Sequence, residues 1–474
     1  MKNKYVKRAL LLLMVLCMAS ATGCGKEKKN GEEYVVKKME KEDSKAVSFD
    51  FIGGKDVMPI GGYYGPYNSN YSKDGHKFPD YVTDEYMQLI AESGINMITY
   101  INLDYAAFPE RVQKCLDLGE KYGVGIFVKD TTITSMSDND SLNVNLIEEQ
   151  LAKYYDHPAC CGLYLIDEPD APYYTRGGGK RMISMYGDLA NALQYDLDIL
   201  CYSNMLPCTS MESDKENYER YVEEFCDTFK PKVIMWDYYI LDAYGTEQAY
   251  FWNMDLMRQQ SQKNGVPFWA FIQAGGRWRS DDKYLNADTY HPTEGEFNWN
   301  VNTCLAFGAQ GIQYFPLIQP DYFAFISTED GDFEASGIVG ALGNKTLWYG
   351  YAQNIHKHIR VIDEVLMNSV HKGLIVSGEK TKEDVSLTSC VIESGRFQEL
   401  VSVSGDAMVG CFNYNGKTAL YVVNYSTEYA QNITLNFNDA CNIKITQNAE
   451  DSYVNAETLT LDMAAGEGAM LVIE

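Results

Sequence analysis

The chain has 474 residues, a formal net charge of −26, twelve cysteines and six histidines. So acidic a balance argues against nucleic acid and against a polybasic membrane patch as partners. The length allows two domains with sizeable cores.

The N terminus carries Lys2, Lys4, Lys7 and Arg8, then an apolar run from Ala9 to Met18, then Ala21-Thr22-Gly23-Cys24. The run is too short to span a bilayer and reads as a secretory signal over residues 1–23. The small residues before Cys24 resemble a bacterial lipobox, with Ala21 where leucine is usual. That resemblance implies cleavage before Cys24 and lipidation of its thiol; ordinary secretion is the alternative. A Lys- and Glu-rich stretch follows over residues 24–45 and is expected to be a disordered tether. The expected location is the bacterial cell surface, on the outer face of the cytoplasmic membrane, with the lipid as the sole membrane contact.

From residue 46 to 366, strand-like and helix-like segments alternate. The strand candidates are Val57–Tyr64, Ile95–Leu103, Gly123–Val128, Gly162–Ile166, Ile199–Ser203, Lys232–Asp237, Pro267–Gln273 and Gly311–Pro316. Each is short and apolar or aromatic, and turn signals such as Ser93-Gly94 and Asn264-Gly265 precede several. Helical patterns lie between them. Thr83 is placed to cap one, Pro109 to begin another, and others fit Arg181–Leu193, Tyr218–Phe229, Glu247–Lys263, Phe297–Phe307 and Lys345–Ile359. Eight such pairs predict a parallel sheet closed into a (β/α)8 barrel. A doubly wound open sheet is the competitor, but no G-x-G-x-x-G follows the first strand; Gly177-Gly178-Gly179 reads as a loop entering a helix.

After Met367 the texture changes. Leu374–Val376, Ala407–Phe412, Ala419–Asn424, Ile433–Phe437, Ile443–Thr446, Leu459–Met463 and Ala469–Ile473 read as short strands with turns such as Asn415-Gly416 between them. Residues 367–474 are therefore expected to form an antiparallel β-sandwich that braces the barrel. Most cysteines sit in apolar patterns and read as small core residues, without C-x-x-C or zinc spacing.

In such a barrel the active site lies at the carboxyl ends of the strands. Those ends supply Tyr63, Tyr64, Asn102, Asp104, Lys129, Asp130, Asp167, Glu168, Asn204, Asp237, Tyr238, Tyr239, Gln273 and Gln319. Leu163-Tyr164-Leu165-Ile166 runs straight into Asp167-Glu168-Pro169, two carboxylates at the rim of a buried strand. Trp236, Trp269, Trp278 and Trp299 fall in or near the last three strands. Aromatic faces beside carboxylates and amides suit sugar rings, so these residues are candidate substrate contacts. Asp237 fits a sugar-binding or a catalytic role equally. Gln273 reads as a hydrogen-bonding member of the ring, Glu296 as a helix N-terminal residue, and Glu329, Asp330, Asp332 and Glu334 as a solvated acidic loop. His356-Lys357-His358 makes no metal pattern, and calcium at Ser137–Asp140 is weakly supported. No cofactor or metal is expected.

A barrel whose strand 4 ends in Glu-Pro, followed by a β-sandwich, resembles the retaining glycoside hydrolases of the large (β/α)8 clan. The resemblance implies that Glu168 is the general acid/base. Two departures matter: Asp167 stands where that clan has asparagine, and Gln273 stands where it has a nucleophilic Glu at the end of strand 7. The adjacent Asp167-Glu168 is similar to the pair in barrel N-acetylhexosaminidases. That similarity implies that the substrate's acetamide is the nucleophile, that Asp167 orients it, that Glu168 is the acid and that Tyr238 or Tyr239 assists. Inversion, with Asp237 as base, is a third route. The expected function is thus a cell-surface glycoside hydrolase, acting as a monomer on a poly- or oligosaccharide. A non-catalytic glycan-binding lipoprotein on a degenerate barrel and a closed scaffold are the rivals.

Overall fold

The computed structural model describes residues 49–67, 72–73, 76–137, 142–169, 179–211, 214–241, 246–275, 292–320, 337–393, 395 and 397–474. The signal, Cys24 and the tether lie outside these residues, as do Trp278, Gly177, Gly178, Asp138, Asp140 and the acidic stretch from Glu329 to Glu334.

Eight parallel strands close into a barrel: β1 (Ile60–Gly62), β2 (Met97–Ile98), β3 (Gly125–Lys129), β4 (Cys160–Asp167), β5 (Cys201–Met205), β6 (Ile234–Trp236), β7 (Phe268–Gln273) and β8 (Ile312–Phe315). Each pairs with the next, and β1 closes the ring on β8 with Ile60 opposite Ile312. All eight expected strands are present in the expected order. Between them stand α1 (Asp84–Glu92), α2 (Pro109–Tyr122), α3 (Thr131–Thr134), α4 (Val144–Leu151), α5 (Gly179–Asn191), α6 (Lys215–Phe229), α7 (Glu247–Asn264) and α8 (Glu294–Ala306), and α9 (Leu347–Met367) follows β8.

Local chemistry sets the helix ends. The Thr83 side chain accepts from Tyr86 N, and Pro109 occupies the first turn of α2, where a missing N–H costs nothing. Gly123 ends α2 at φ 71°, a left-handed conformation that glycine adopts without steric penalty. Glu296 proves to be half of a capping box: Thr293 N donates to its carboxylate at 2.8 Å, and Glu296 N donates back to Thr293 Oγ1 at 3.2 Å. Glu296 is therefore structural.

Seven antiparallel strands follow: β9 (Ser369–Ser377), β10 (Leu400–Ser404), β11 (Ala407–Tyr414), β12 (Lys417–Asn424), β13 (Gln431–Gln447), β14 (Glu450–Met463) and β15 (Gly468–Ile473). The sequence splits β13 into two strands at Asn438-Asp439-Ala440. The structure keeps one strand with an irregularity between Asn436 and Cys441. That bend lets one half pair with β10 and the other with β15, so the sheet folds over its own core. β10 is an additional strand; its Ser-rich alternation hides it.

Strand alternation divides this sheet between two interiors. On β12, Leu420 and Val422 point into the sandwich core, while Ala419, Tyr421 and Val423 join the barrel's core. Tyr421 OH donates to Asn302 Oδ1 on α8 at 2.7 Å, and a Cβ at Gly410 would lie 2.4 Å from the Ala306 carbonyl oxygen. Barrel and sheet belong to one compact unit, Ser44–Glu474. Among the described residues, all ten cysteines are free, and no helix is long and apolar enough to cross a membrane.

Candidate active site

The lumen of the barrel rises from an apolar floor to a polar mouth. At the floor Phe49 packs on Phe127 and Trp269, with ring centroids 6.4 and 6.2 Å apart. Above lies a layer of tyrosines and phenylalanines. Tyr63 stacks on Tyr100 at 4.8 Å, Tyr164 stacks on Tyr202 at 5.1 Å, and Phe271 and Phe315 meet the Tyr63 ring edge-on or tilted. Tyr239 covers Phe315 at 5.5 Å from the open side.

The end of β4 is shaped by a bulge. Tyr164 pairs with Tyr202 and Ile166 with Ser203, so Leu165 is the extra residue. The parity shift brings both Tyr164 and Asp167 to the lumen, which strict alternation would forbid. Glu168 then turns out of the strand at φ 45°, and its N–H donates to the Asn204 carbonyl at 2.9 Å. A non-glycine residue in this left-handed region carries strain of order 1–3 kcal/mol, and such strain collects at functional positions. Tyr64, across the mouth on the β1 end, has φ 66°. Tyr221 OH donates to the Pro169 carbonyl at 3.1 Å and accepts from Leu206 N, fixing the ends of β4 and β5 together.

Three carboxyl groups meet here. Asp167 Oδ2 accepts from Tyr63 OH at 2.8 Å, and Tyr63 OH also lies 3.2 Å from Tyr164 OH. Burial, and then the charge of Glu168, push the Asp167 carboxyl up to about 7; Tyr63, Asn204 and Tyr202 pull it partly back. Asp237 is buried (4% exposed) and accepts from Asn204 Nδ2 at 3.0 Å. Burial and the charges of Glu168 and Asp167 hold the Asp237 carboxyl well above the usual carboxylate range. Glu168 is exposed at the opening, yet protein atoms crowding its carboxyl also raise it, against a hydrogen bond with Asp237 that lowers it. Their contact raises Asp237 and lowers Glu168, so a proton shared by the pair favours the buried Asp237.

Several polar atoms around this trio lack a well-formed partner among the described residues. They are Asp167 Oδ1, Tyr202 OH, Asn204 Oδ1 and Gln273 Oε1. Buried polar atoms are ordinarily satisfied, so this concentration marks a place where a polar ligand would complete the set. No group of three or more acidic, histidine or cysteine residues placed to hold a metal occurs among the described residues.

The remaining sequence candidates fall in different parts of the fold. Tyr63, Asn204, Tyr239 and Gln273 line the mouth or the layer beneath it. β7 ends at Gln273, whose Nε2 donates to the Gly275 carbonyl at 3.2 Å. Asn102 donates to Tyr64 OH at 3.0 Å and accepts from Tyr100 OH at 3.1 Å, flanking the tyrosine layer, while buried Gln319 accepts from Tyr67 OH on its carbonyl. Trp236, Tyr238 and Trp269 are corrected. Trp236 and Tyr238 neighbour the lumen-facing Asp237 and so point outward, packing on Tyr250 of α7 at 6.0 and 5.3 Å. Trp269 does face the lumen, but four residues below Gln273, roughly 13 Å down the strand, at the Phe49 floor. Trp299 packs against Tyr425 under the sheet. Asp104 and Asp130 are structural. Asp104 accepts from Thr131, and Asp130 caps α3 and accepts from Gln150 and Tyr154.

Sequence reasoning overlooked Tyr100, Tyr164, Tyr202, Phe271 and Phe315. The usable signal is parity: 271 shares a face with 273, and 202 with 204.

No protein-family model and no curated protein matches the chain. Solved structures do. A beta-galactosidase from Bacillus circulans sp. alkalophilus superposes with a TM-score of 0.53 at 9% identity, over 88% of this chain and 99% of that one. An alpha-amylase from Geobacillus thermoleovorans gives 0.47 at 8% identity, over 89% and 98%. A maltogenic alpha-amylase from Thermotoga neapolitana gives 0.45 at 10%, over 88% and 98%. The chain is thus similar in fold to the beta-galactosidase over most of its length, while sharing almost no sequence with it.

Proposed function

We propose that the protein is a glycoside hydrolase that uses Glu168 as general acid, and that it acts on glycans at the cell surface from a lipid anchor on Cys24. The observation that carries this reading is the Asp167, Glu168 and Asp237 cluster at the barrel mouth, with all three carboxyls raised by burial and those of Asp167 and Asp237 raised further by neighbouring charge. A carboxyl that keeps its proton near pH 7 can protonate a leaving oxygen.

The cluster favours substrate assistance over the two-carboxylate routes. Retaining pairs stand about 5–5.5 Å apart and inverting pairs about 6.5–9.5 Å, to admit a sugar carbon or a water. Glu168 and Asp237 are in hydrogen-bond contact, and β7 ends in an amide rather than a carboxylate. A nucleophile supplied by the substrate needs neither spacing. In this scheme a 2-acetamido group enters beside Asp167, held through Tyr63, and its carbonyl oxygen attacks the anomeric carbon. Glu168 takes over the shared proton and gives it to the departing oxygen. Asp237, left as a carboxylate by that transfer, keeps the hydrogen bond from Asn204 Nδ2, and the water that later opens the cyclised acetamide intermediate returns one proton to the pair.

Aryl N-acetylglucosaminides and plain aryl hexosides, assayed with the wild type and Glu168→Gln, test both layers. Turnover should be confined to the acetamido substrates and be lost in the variant. Equal hydrolysis of the plain hexoside would exclude assistance, and unchanged turnover in the variant would exclude Glu168 as the acid. Gln273 in place of a strand-7 carboxylate also favours a second reading, binding without turnover. A glycan retained by both proteins and cleaved by neither would establish it.

A further inference from the structure

β3 ends at Lys129, two residues past Phe127, so the two side chains share a face. Phe127 packs on Phe49 and on Tyr202 inside the barrel, with ring centroids 6.4 Å apart in both pairs, which turns Lys129 to the lumen as well. The Lys129 ammonium lies 5.5 Å from the centroid of the Tyr100 ring. Tyr100 in turn stacks on Tyr63, the partner of Asp167, at 4.8 Å and meets Tyr164 at 4.6 Å. A lumen-facing side chain at the carboxyl end of its strand meets solvent at the mouth, so half-buried Lys129 opens there. We propose that Lys129 is a specificity-determining residue that binds a negatively charged substituent of the glycan, a carboxylate or a sulfate ester. This substrate class rests on the glycosidase reading above.

A chain of net charge −26 has carboxylates in plenty to neutralise a half-buried lysine. Arg111, Lys121, Lys232, Arg258 and Arg360 each hold one, whereas Lys129 makes no ion pair among the described residues. Asp104 is bridged to Lys129 through the backbone, but its carboxylate is taken up by Ala106 N, Thr131 N and Thr131 Oγ1. Lys215 and Lys345 also lie over aromatic rings, yet both are exposed, where water solvates the charge. At Lys129 the ring face supports the ammonium on one side and leaves N–H donors for an acceptor entering the mouth. An anionic oxygen there gains a charge-assisted hydrogen bond in a place partly shielded from water, and a neutral hydroxyl gains less. Asp167 and Asp237 hold their protons more firmly than solvated carboxyls do, which limits their repulsion of such a group.

The test uses the full-length protein in detergent and matched pairs of glycans. One pair is an oligosaccharide of alternating N-acetylglucosamine and glucuronate with its carboxyl-reduced form; the other is an aryl N-acetylglucosaminide 6-sulfate with its desulfated form. Affinities are read by calorimetry in the Glu168→Gln background, and kcat/KM with Glu168 in place. With Lys129 present, the charged member of at least one pair should be preferred roughly fivefold to tenfold at low salt, as for one charge-assisted hydrogen bond, and less at high salt. The pair that shows the preference identifies the group as carboxylate or sulfate. Lys129→Gln should bring the ratio to about one and Lys129→Arg should keep it; Lys129→Met gives the same reading should Lys129→Gln not fold. Equal affinity for both members of both pairs, or a preference that survives Lys129→Gln, would overturn the proposal. Turnover without charge preference would overturn this proposal alone, and charge preference without turnover would overturn the hydrolase reading alone.

Discussion

Replacing Asp167 with asparagine should stabilise the protein at pH 8 while destroying its chemistry. The Asp167 carboxyl sits at about 7 inside the fold against 3.8 for a solvated carboxyl. At ~1.4 kcal/mol for each pH unit between those values, holding the ionised form in place costs about 4 kcal/mol. The sign follows from proton binding. Between the two values the folded chain keeps a proton that the unfolded chain has released, so stability falls as pH rises from about 4 to 7 and levels off above. Asparagine fills the same space, accepts the Tyr63 hydroxyl on Oδ1 and never ionises. The variant should therefore lack that part of the decline. With ~2.1 cal/mol/K of unfolding entropy per residue, 4 kcal/mol in a unit of this size corresponds to about 4–5 °C in Tm. Melting followed by circular dichroism from pH 4 to 8 should show the two curves together at the acid end and parting toward pH 8, with the variant higher. Parallel curves across the whole range would refute the claim that Asp167 keeps its proton into the neutral range.

Further outcomes follow from the same geometry. Asp237→Asn would donate permanently to Glu168 and favour its carboxylate, so the alkaline limb of the pH–rate profile should move to lower pH; an unmoved limb would count against the shared proton. Tyr63→Phe removes a hydrogen bond that lowers Asp167, so its carboxyl should titrate higher still, readable by infrared difference spectroscopy. Asp255→Ala would strand buried Arg258, now paired at 2.7 Å, and should cost about 3–5 kcal/mol in urea unfolding. Gly410→Ala would drive a methyl into the Ala306 carbonyl and should lower Tm by several degrees, whereas Gly350→Ala, with open space around it, should not.

The barrel was legible because its strands are short, apolar on both faces and separated by helices with plain caps; a parallel sheet buried on both sides leaves that trace. The carboxylates were legible because a charge after an apolar strand must emerge at the rim. The aromatic assignments failed for a reason that alternation could have anticipated: once Asp237 faces the lumen, Trp236 and Tyr238 cannot. The tyrosine layer was obscured by composition, since 36 tyrosines serve core and site alike. The β4 bulge left no local sign, because the extra Leu165 is as apolar as its neighbours and only the register against Tyr202 and Ser203 exposes it.

The division of β12 between two interiors bears on cooperativity. Ala419, Tyr421 and Val423 complete the barrel's hydrophobic interior from outside the barrel sequence. Truncation after Met367 would therefore uncover an apolar flank on α8 and leave Asn302 without its partners Tyr421 and Gly466. The truncated barrel should aggregate, and the intact protein should lose both halves in a single thermal transition. The trailing sheet acts as an obligatory lid on the barrel's hydrophobic interior, not as an appendage that could be exchanged.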